Sequence, residues 1–206
     1  AFIIERNTPG FSISKPINKI GMKTSPTAEL IFDNCWVDES QLLGELNQGV
    51  YIMMKGLDYE RLTLSAGPLG IQKRIMHEVL PYCDQRKQFG QTLGDFQLTQ
   101  QKLATHYTSY HAGYHWLKAL STSAHVSRMD CAAVFLQTAQ ACVQAALDGI
   151  QLFGGMGFTT EMPMGDLLMD AKLYEIGGGT NEIRQIVIGK EMIKYHRQCK
   201  DIDCMP

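Results

Sequence analysis

The sequence predicts a mainly α-helical protein, an antiparallel four-helix bundle that follows a few β-strands. After residue 45, apolar residues recur at spacings of three and four, which is the period of amphipathic helices. The stretch Cys131–Leu147 contains no charged residue and many alanines, which is typical of a helix buried on most sides. Before residue 45, apolar and polar residues alternate as they do in strands. We therefore predict the C-terminal part of a β-domain at 1–45 and a helical-bundle domain at 46–206.

The first 45 residues contain three predicted strands, at 1–4, 11–15 and 28–37. The pairs Pro9-Gly10 and Ser25-Pro26 separate them, because proline and glycine interrupt regular structure. So few strands leave unpaired edges and do not easily form a stable sheet. We expect this segment to be the closing part of a larger β-domain, with the chain beginning inside a fold.

The predicted helices lie at residues 49–85, from about Asp95 to Ser123, from about Asp130 onwards, and from Thr180 to about His196. Glycines near residue 90 separate the first two helices. Asp95 is a plausible N-cap, since its carboxylate can accept hydrogen bonds from first-turn amides. A single four-helix layer would not fully cover the uncharged third helix, so we expect further burial at a subunit interface.

Composition excludes several classes of protein. The 206 residues carry a net charge of -2 without a Lys/Arg cluster, which argues against a nucleic-acid-binding face. No apolar run reaches the length of a membrane span. The six cysteines form no C-x-x-C pair and are expected to be reduced and mostly buried. His106, His111 and His115 follow helical spacing, but no H-E-x-x-H pattern is present, so no metal site is predicted.

Four local patterns carry candidate chemistry, and each alone also has an ordinary structural interpretation. Glu60-Arg61 interrupts an apolar helix and is typical of a salt-bridged pair. The loop 86–97 combines an arginine, which can hold phosphate oxygens, with aromatic residues that can support a ring. Residues 151–157 suit a helix end and a tight turn, and no strand precedes them as a dinucleotide-binding fold requires. Residues 174–184 place three glycines before a helix start, where amides can meet an anion or simply be capped by Thr180.

The order of these patterns is more specific than any one of them. The four patterns follow one another in the order Glu-Arg, R-x-x-F-G-x-x-L, Q-x-x-G-G-x-G and Y-E-x-G-x-G-T-x-E-I-R. In this order the whole chain resembles the C-terminal half of the acyl-CoA dehydrogenase family. The resemblance implies FAD-dependent removal of hydrogen from Cα and Cβ of an acyl-CoA, with a glutamate taking the α-proton and flavin N5 taking the β-hydride. It also implies a homotetramer, electron-transferring flavoprotein as electron acceptor, and the mitochondrial matrix.

In most members of that family the catalytic glutamate directly precedes the Gly-Thr of the fourth pattern, and here Gly178 occupies that position. The isovaleryl-CoA branch instead places its base in a Leu-Asp-x-Glu-Arg-Leu context, which residues 57–62 match with Glu60. The resemblance therefore implies Glu60 as the base and a 3-methylbutanoyl group as substrate, oxidised to 3-methylcrotonyl-CoA in leucine catabolism. The extra methyl group would use the space that Gly178 leaves. Glu175 lies three residues before Gly178 and does not match.

The resemblance also implies a set of binding residues. Those expected to contact FAD, some of them in a neighbouring subunit, are Arg86, Phe89, Gln97, Gln151, Leu152, Phe153, Gly154, Gly155, Thr180, Asn181 and Glu182. Those expected to line the acyl-CoA site are Tyr51, Asp58, Tyr59, Arg61, Gly178 and Gly179. Two alternatives stay open: a catalytically silent helical assembly module, and a dehydrogenase or oxidase of another acyl specificity.

Overall fold

The computed structural model describes residues 1–199 and confirms the predicted mainly helical fold. The chain divides into two compact units, Ala1–Leu57 and Asp58–Pro206, and the division falls inside the first helix. Of the predicted reduced thiols, Cys35, Cys83, Cys131 and Cys142 are free cysteines. Cys204 and the side chain of Cys199 lie outside the described residues.

The first unit contains less β-structure than the sequence predicts. Strand β1 (Phe11–Ile13) pairs antiparallel with β2 (Leu30–Phe32), and Phe11 lies opposite Phe32 with the two rings stacked 5.1 Å apart. The predicted strand at 1–4 is wrong, because only Phe2 forms an isolated bridge, with Leu42. All three side chains of β2 are exposed, since a two-stranded ribbon offers little surface to cover them.

The predicted helix at 49–85 is two helices, α1 (Gly49–Leu64) and α2 (Ala66–Gln85). They are separated at Ser65, whose hydroxyl donates a hydrogen bond of 2.7 Å to the carbonyl of Arg61. Pro68 explains the break, because it lacks the N–H that would pair with the carbonyl of Leu64 in a continuous helix.

A small hairpin joins α2 to the next helix. Strands β3 (Lys87–Gln88) and β4 (Gln91–Thr92) pair around a two-residue turn in which Phe89 and Gly90 have φ values of 52° and 84°. Two positive φ angles are the signature of a type I′ turn, which fits the twist of the paired strands.

Helix α3 (Gln97–Ser121) begins later than predicted, and Asp95 does not cap it. Its N-cap position is Phe96. The carboxylate of Asp95 instead accepts hydrogen bonds from the amide and hydroxyl of Thr92, at 3.0 and 2.7 Å. The preceding turn therefore uses the group that could have capped the helix.

Helix α4 (Arg128–Phe153) is the centre of the second unit and packs against α2, α3, α5 (Met164–Tyr174) and α6 (Asn181–Cys199). Ala132, Phe135 and Ala139 are fully buried, which confirms the predicted burial of the uncharged stretch. Helix α5 is not among the predicted helices. Because helices of the same chain cover α4, its lack of charge does not call for a subunit interface, and that expectation loses its basis.

Small residues let the helices approach α4 closely. A Cβ atom at Gly113 of α3 would lie 2.8 Å from the Cγ2 atom of Thr138, and one at Gly149 would lie 2.8 Å from the sulfur of Met164. Either contact is shorter than carbon side chains tolerate. Within residues 1–199, no helix combines the length and hydropathy that a membrane span needs.

A buried polar cluster links α3 to α4. The carboxylate of Asp148 accepts hydrogen bonds from Lys102 and from Gln144, the latter at 3.2 Å. His106 is 5% exposed, and its Nε2 atom lies 3.4 Å from Oδ2 of Asp148. Burial lowers the pKa of His106, although the charge of Asp148 opposes that effect. Burial would raise the pKa of Asp148, but the hydrogen bonds from Lys102 and Gln144 outweigh it and the pKa lies below its ordinary value.

Candidate active site

The site is built around a turn of three glycines, Gly177–Gly179, between α5 and α6. Gly178 and Gly179 have φ values of 66° and 92°, which lie in the left-handed region that glycine adopts without strain. The amide of Gly177 donates to the carbonyl of Leu173, so the turn starts directly from the end of α5. We refer to these three residues as the glycine turn.

Arg61 connects α1 to the glycine turn. Its side chain is 3% exposed, and its Nε atom donates a hydrogen bond of 3.0 Å to the carbonyl of Gly178. Its Nη1 atom donates to Asp58 at 3.0 Å, and the same carboxylate lies 3.6 Å from Nε of Arg128. A Cβ atom at Gly179 would lie 3.3 Å from the guanidinium of Arg61. Asp58 and Arg61, which we predicted to line the substrate site, are thus engaged in holding this turn.

Arg184 holds the same turn from α6 and is fully buried. Its Nη2 atom donates hydrogen bonds of 2.6 Å to the carbonyls of Tyr174 and Gly177, and its Nη1 atom donates to Asn181 at 3.0 Å. Its guanidinium lies 3.7 Å above the centre of the Phe135 ring. Arg184 is the last residue of the fourth sequence pattern, and no role was predicted for it. One sequence feature could have indicated a role for Arg184. It is a cation near the start of a helix, where the helix dipole disfavours positive charge.

The peptide groups of the glycine turn are oriented by these two arginines. Because the peptides are trans, each N–H points opposite to the preceding carbonyl. The N–H of Gly178 therefore points away from Arg184, and the N–H of Gly179 points away from Arg61. Within residues 1–199 neither of these two amides donates a hydrogen bond of ordinary geometry. They remain available to an oxygen atom of a ligand.

Glu60 faces the glycine turn from α1. Its carboxylate oxygen lies 3.9 Å from the position that a Cβ atom of Gly178 would occupy. The same position is 3.0 Å from the ring of Phe135 and 3.6 Å from a methyl group of Leu64. The structure thus brings together the predicted base and the glycine that lacks one. Glu60 is exposed, and apolar side chains border the Cβ position of Gly178 beside it.

Glu175 is differently placed, because both of its carboxylate oxygens already have partners. One accepts a hydrogen bond of 2.6 Å from Lys172, and the other accepts one of 3.1 Å from the side-chain amide of Asn181. The carbonyl of Glu175 also accepts a bond from the amide of Asn181. Glu175 therefore fastens α5 to the start of α6.

The start of α6 follows the glycine turn, one residue after the predicted start at Thr180. The amide of Ile183 donates to the hydroxyl of Thr180 at 3.4 Å, so Thr180 caps this helix. A hydrogen bond from its own backbone amide and one from Thr180 lower the pKa of Glu182. The side chain of Asn181 bonds both Glu175 and Arg184. Of the three predicted cofactor residues here, only Glu182 is exposed.

The other predicted cofactor residues form a second group at the far end of α4. The hydroxyl of Tyr82 donates to the carbonyl of Phe153 at 3.4 Å, and Arg86 follows one helical turn after Tyr82. Phe153 is 3% exposed and packs on Tyr82, so its side chain belongs to the core. Leu152 is half-buried. The remaining members are exposed; they are Arg86, Phe89, Gln97, Gln151, Gly154 and Gly155.

The two groups are far apart on one chain. The glycine turn lies beside Phe135, while the second group includes Phe153, and α4 rises about 27 Å between these two residues. A molecule held by one group would have to extend along most of the bundle to reach the other.

Two of the predicted substrate residues are exposed tyrosines. Tyr59 is 68% exposed on α1, and Tyr51 is 69% exposed in the first unit.

The rings of His111 and His115 stack 5.7 Å apart. Across residues 1–199, no group of three or more His, Cys, Asp or Glu side chains could hold a metal ion. Burial raises the pKa of Cys131 to about 11 and that of Cys142 to about 12, which suits unreactive thiols.

The fold is shared with the helical half of known dehydrogenases. The structure superposes on the butyryl-CoA dehydrogenase of Megasphaera elsdenii with a TM-score of 0.89 and 32% identity, covering 93% of this chain and 51% of that one. The model of the acyl-CoA dehydrogenase C-terminal domain matches residues 47–193. The chain belongs to the acyl-CoA dehydrogenase family.

Two similar proteins of one plant are named for different substrates. The chain is 47% identical over 197 residues to a mitochondrial isovaleryl-CoA dehydrogenase of Solanum tuberosum, covering 94% of this chain and 48% of that protein. It is 46% identical over 198 residues to a mitochondrial 2-methylacyl-CoA dehydrogenase of the same plant, covering 95% of this chain and 48% of that protein. The chain thus spans about half the length of these relatives.

Proposed function

We propose that this chain supplies the C-terminal domain of an FAD-dependent dehydrogenase of short branched-chain acyl-CoA thioesters, with isovaleryl-CoA as substrate and 3-methylcrotonyl-CoA as product. One observation carries the proposal: the carboxylate of Glu60 lies 3.9 Å from the Cβ position of Gly178, a residue that itself carries no side chain. The identity with isovaleryl-CoA dehydrogenase supports the same assignment.

Glu60 would accept the proton from the α-carbon of the thioester. Such proton transfer needs an acidified C–H bond, and the unpaired amides of Gly178 and Gly179 offer hydrogen bonds to the thioester carbonyl, where negative charge develops. Bound FAD would supply the acceptor for the hydride that leaves the β-carbon as the double bond forms. Arg61 and Arg184 keep the two amides in place.

The absence of a side chain at Gly178 supports a branched substrate. The ring of Phe135 and the methyl group of Leu64 border the space next to Glu60, so an additional methyl group would meet apolar neighbours there. One methyl group discriminates by only about 1–3 kcal/mol, so we expect graded selectivity rather than exclusion of straight chains. The 2-methylacyl relative makes a 2-methyl-branched acyl-CoA the second candidate substrate.

The second group of cofactor residues fits an anionic, extended ligand. Gly154 and Gly155 border open space, because a Cβ atom built on either residue would have no other atom within 4 Å. A ligand can therefore approach the backbone there. Arg86 is exposed nearby and can form a fork of hydrogen bonds to phosphate oxygens. Because this group lies about 27 Å along α4 from the glycine turn, we propose that the two groups of one chain contact different FAD molecules. That arrangement requires a homo-oligomer, for which we propose a homotetramer.

We also propose electron-transferring flavoprotein as the electron acceptor and the mitochondrial matrix as the location. The names of the plant relatives, which are mitochondrial enzymes, support the location.

The test is anaerobic flavin bleaching by isovaleryl-CoA, with the protein expressed from its complete reading frame. We expect the wild type to bleach, and Glu60→Gln to retain flavin and bind acyl-CoA but bleach roughly 10²–10⁴ times more slowly, because an amide cannot take the proton. Glu175→Gln is the matched control in the neighbouring segment and should remove far less activity. A wild type that no acyl-CoA bleaches would overturn the proposed function. Wild-type bleaching by Glu60→Gln would remove Glu60 as the base.

A further inference from the structure

The glycine turn has little means of holding its own shape. Three consecutive glycines leave the backbone freer than any other sequence would, and fixing it is correspondingly unfavourable in entropy. Gly178 and Gly179 carry no side chain that could pack. The conformation that places Gly178 opposite Glu60 must therefore be stabilised from outside the turn.

Two buried guanidinium groups provide that support, and they differ in their hydrogen-bond partners. Arg61 is paired with a carboxylate, that of Asp58. The hydrogen-bond partners of Arg184 in the described part of the chain are two carbonyls and one amide oxygen. One of those carbonyls belongs to Tyr174, the last residue of α5, where the helix dipole is negative.

The position of Arg184 is electrostatically unfavourable by itself. Burial, followed by the charge of Arg61, lowers the pKa of Arg184 to about 10. Its Nε atom is buried without a hydrogen-bond partner in residues 1–199. A protein that needed only packing here would be better served by an apolar side chain. The arginine is therefore better explained by what its fork of donors holds.

We propose that Arg184 is a positioning residue of the dehydrogenation reaction: by holding the carbonyls of Tyr174 and Gly177 it fixes the glycine turn that faces Glu60. The inference rests on the proposed function. Fixing the carbonyl of Gly177 also fixes the N–H of Gly178, since the two belong to one planar peptide. Arg184 thereby sets the distance between the thioester carbonyl bound at that amide and the carboxylate that takes the α-proton.

Phe135 lies beside both Arg184 and the glycine turn. Its ring supports the guanidinium of Arg184 on one face and stands edge-on to the ring of Tyr174, with centres 6.3 Å apart. It also lies 3.0 Å from the Cβ position of Gly178. One aromatic ring on α4 thus sets the place of Arg184 and the boundary of the glycine turn. A lysine could not reproduce this geometry, because it lacks both the planar group and the fork.

The experiment compares Arg184→Lys, Arg184→Gln and Phe135→Leu with the wild type in single-turnover flavin bleaching by isovaleryl-CoA, per bound flavin. Arg74→Lys is the matched control, because Arg74 is an exposed arginine that pairs with Glu78 on α2. We expect Arg184→Gln to bleach roughly 10–100 times more slowly at saturating substrate, because small misplacements of reacting groups cost that much. Arg184→Lys and Phe135→Leu should fall between it and the wild type, with acyl-CoA affinity little changed.

A second readout separates positioning from simple destabilisation. If Arg184 only stabilised the fold, its variants would contain less flavin-loaded protein, but each bound flavin would react at the wild-type rate. Misplacement should also raise the isotope effect of substrate deuterated at the α-carbon, since proton transfer becomes more rate-limiting. Equal rates per bound flavin, or failure of all three variants to fold, would overturn the proposal. If the wild type bleaches and Glu60→Gln does not, but the Arg184 variants react at the wild-type rate per bound flavin, the positioning role of Arg184 fails while the proposed function stands.

Discussion

The side chain of Arg61 donates a hydrogen bond of 3.0 Å to the main-chain carbonyl of Gly178, which lies 117 residues further along the chain. This bond joins the helix that carries Glu60 to the turn that lacks a side chain opposite it. A carboxylate carried by one segment therefore lies beside a turn that belongs to another. The geometry accounts for how a family member with glycine at position 178 keeps a carboxylate next to that position.

Removing the guanidinium of Arg61 should destabilise the second unit. In Arg61→Ala, the carboxylate of Asp58 and the carbonyl of Gly178 both lose a buried partner. We expect the free energy of unfolding to fall by about 2–4 kcal/mol, as for other buried pairs that lose one member. Urea denaturation measures it. The neighbouring Arg128→Ala is the control and should change stability by less than about 1 kcal/mol, because Arg128 is 42% exposed.

Moving the carboxylate across the gap should restore part of the activity. In Glu60→Gly combined with Gly178→Glu, the new side chain starts 3.9 Å from the former carboxylate oxygen. It should favour butyryl-CoA over isovaleryl-CoA, because it refills the space proposed for the branch. Anaerobic bleaching with the two thioesters measures both effects.

This rescue has a structural cost. Position 178 has a φ of 66°, so any side chain there should destabilise the protein by about 1–2 kcal/mol, and its Cβ would lie 3.0 Å from Phe135. Glu60→Gly with Gly178→Gln is the matched control, with the same shape and strain but no base. A double variant no faster than this control would contradict the shared role of the two positions.

Truncating Arg86 should weaken FAD retention without unfolding the bundle. Its side chain is exposed at the end of α2, so Arg86→Ala leaves the core intact. We expect FAD affinity to fall roughly tenfold to a hundredfold, which corresponds to the loss of charge-assisted hydrogen bonds worth about 1.5–3 kcal/mol. Fluorescence titration of the apoprotein measures it. The neighbouring Lys87→Ala is the control, and equal affinities of the two variants would exclude a specific role for Arg86.

The cluster of Lys102, His106 and Asp148 should make stability depend on pH. Because the pKa of His106 is lowered in the folded protein, the unfolded chain binds a proton first as the pH falls through the ordinary range of histidine. Stability contributed by neutral His106 should therefore be lost between about pH 7 and pH 5. The pKa of Asp148 is also lowered, so its contribution persists above the ordinary pKa of aspartate and is lost on further acidification.

The measurement is the denaturation midpoint of the wild type and His106→Gln at pH 7 and pH 5. We expect the variant to be less stable at pH 7 but to lose less stability on acidification. The exposed His115→Gln provides the comparison and should follow the wild type. Parallel pH dependence of wild type and His106→Gln would show that this histidine does not control it.

Some elements of the fold follow from local chemistry alone. The uncharged stretch Cys131–Leu147 had to find apolar partners, and it lies at the centre of the bundle. The separation of α1 from α2 was also readable, since Pro68 removes a helical hydrogen bond, but periodicity alone did not show it. Asp95 could have capped α3, but its carboxylate instead accepts hydrogen bonds from the amide and hydroxyl of Thr92 in the preceding turn.

The sequence by itself determined the class of protein and its mainly helical fold, and it showed that position 178 lacks a side chain while position 60 carries a carboxylate. Those properties depend on residue type and spacing, which a sequence contains. Only the tertiary structure decided that Glu60 faces Gly178, that Arg61 and Arg184 hold one turn from two sides, and that Phe153 belongs to the core. The physical reason is that these contacts join segments far apart in the chain, and packing against α4, rather than any local preference, sets the distances between them.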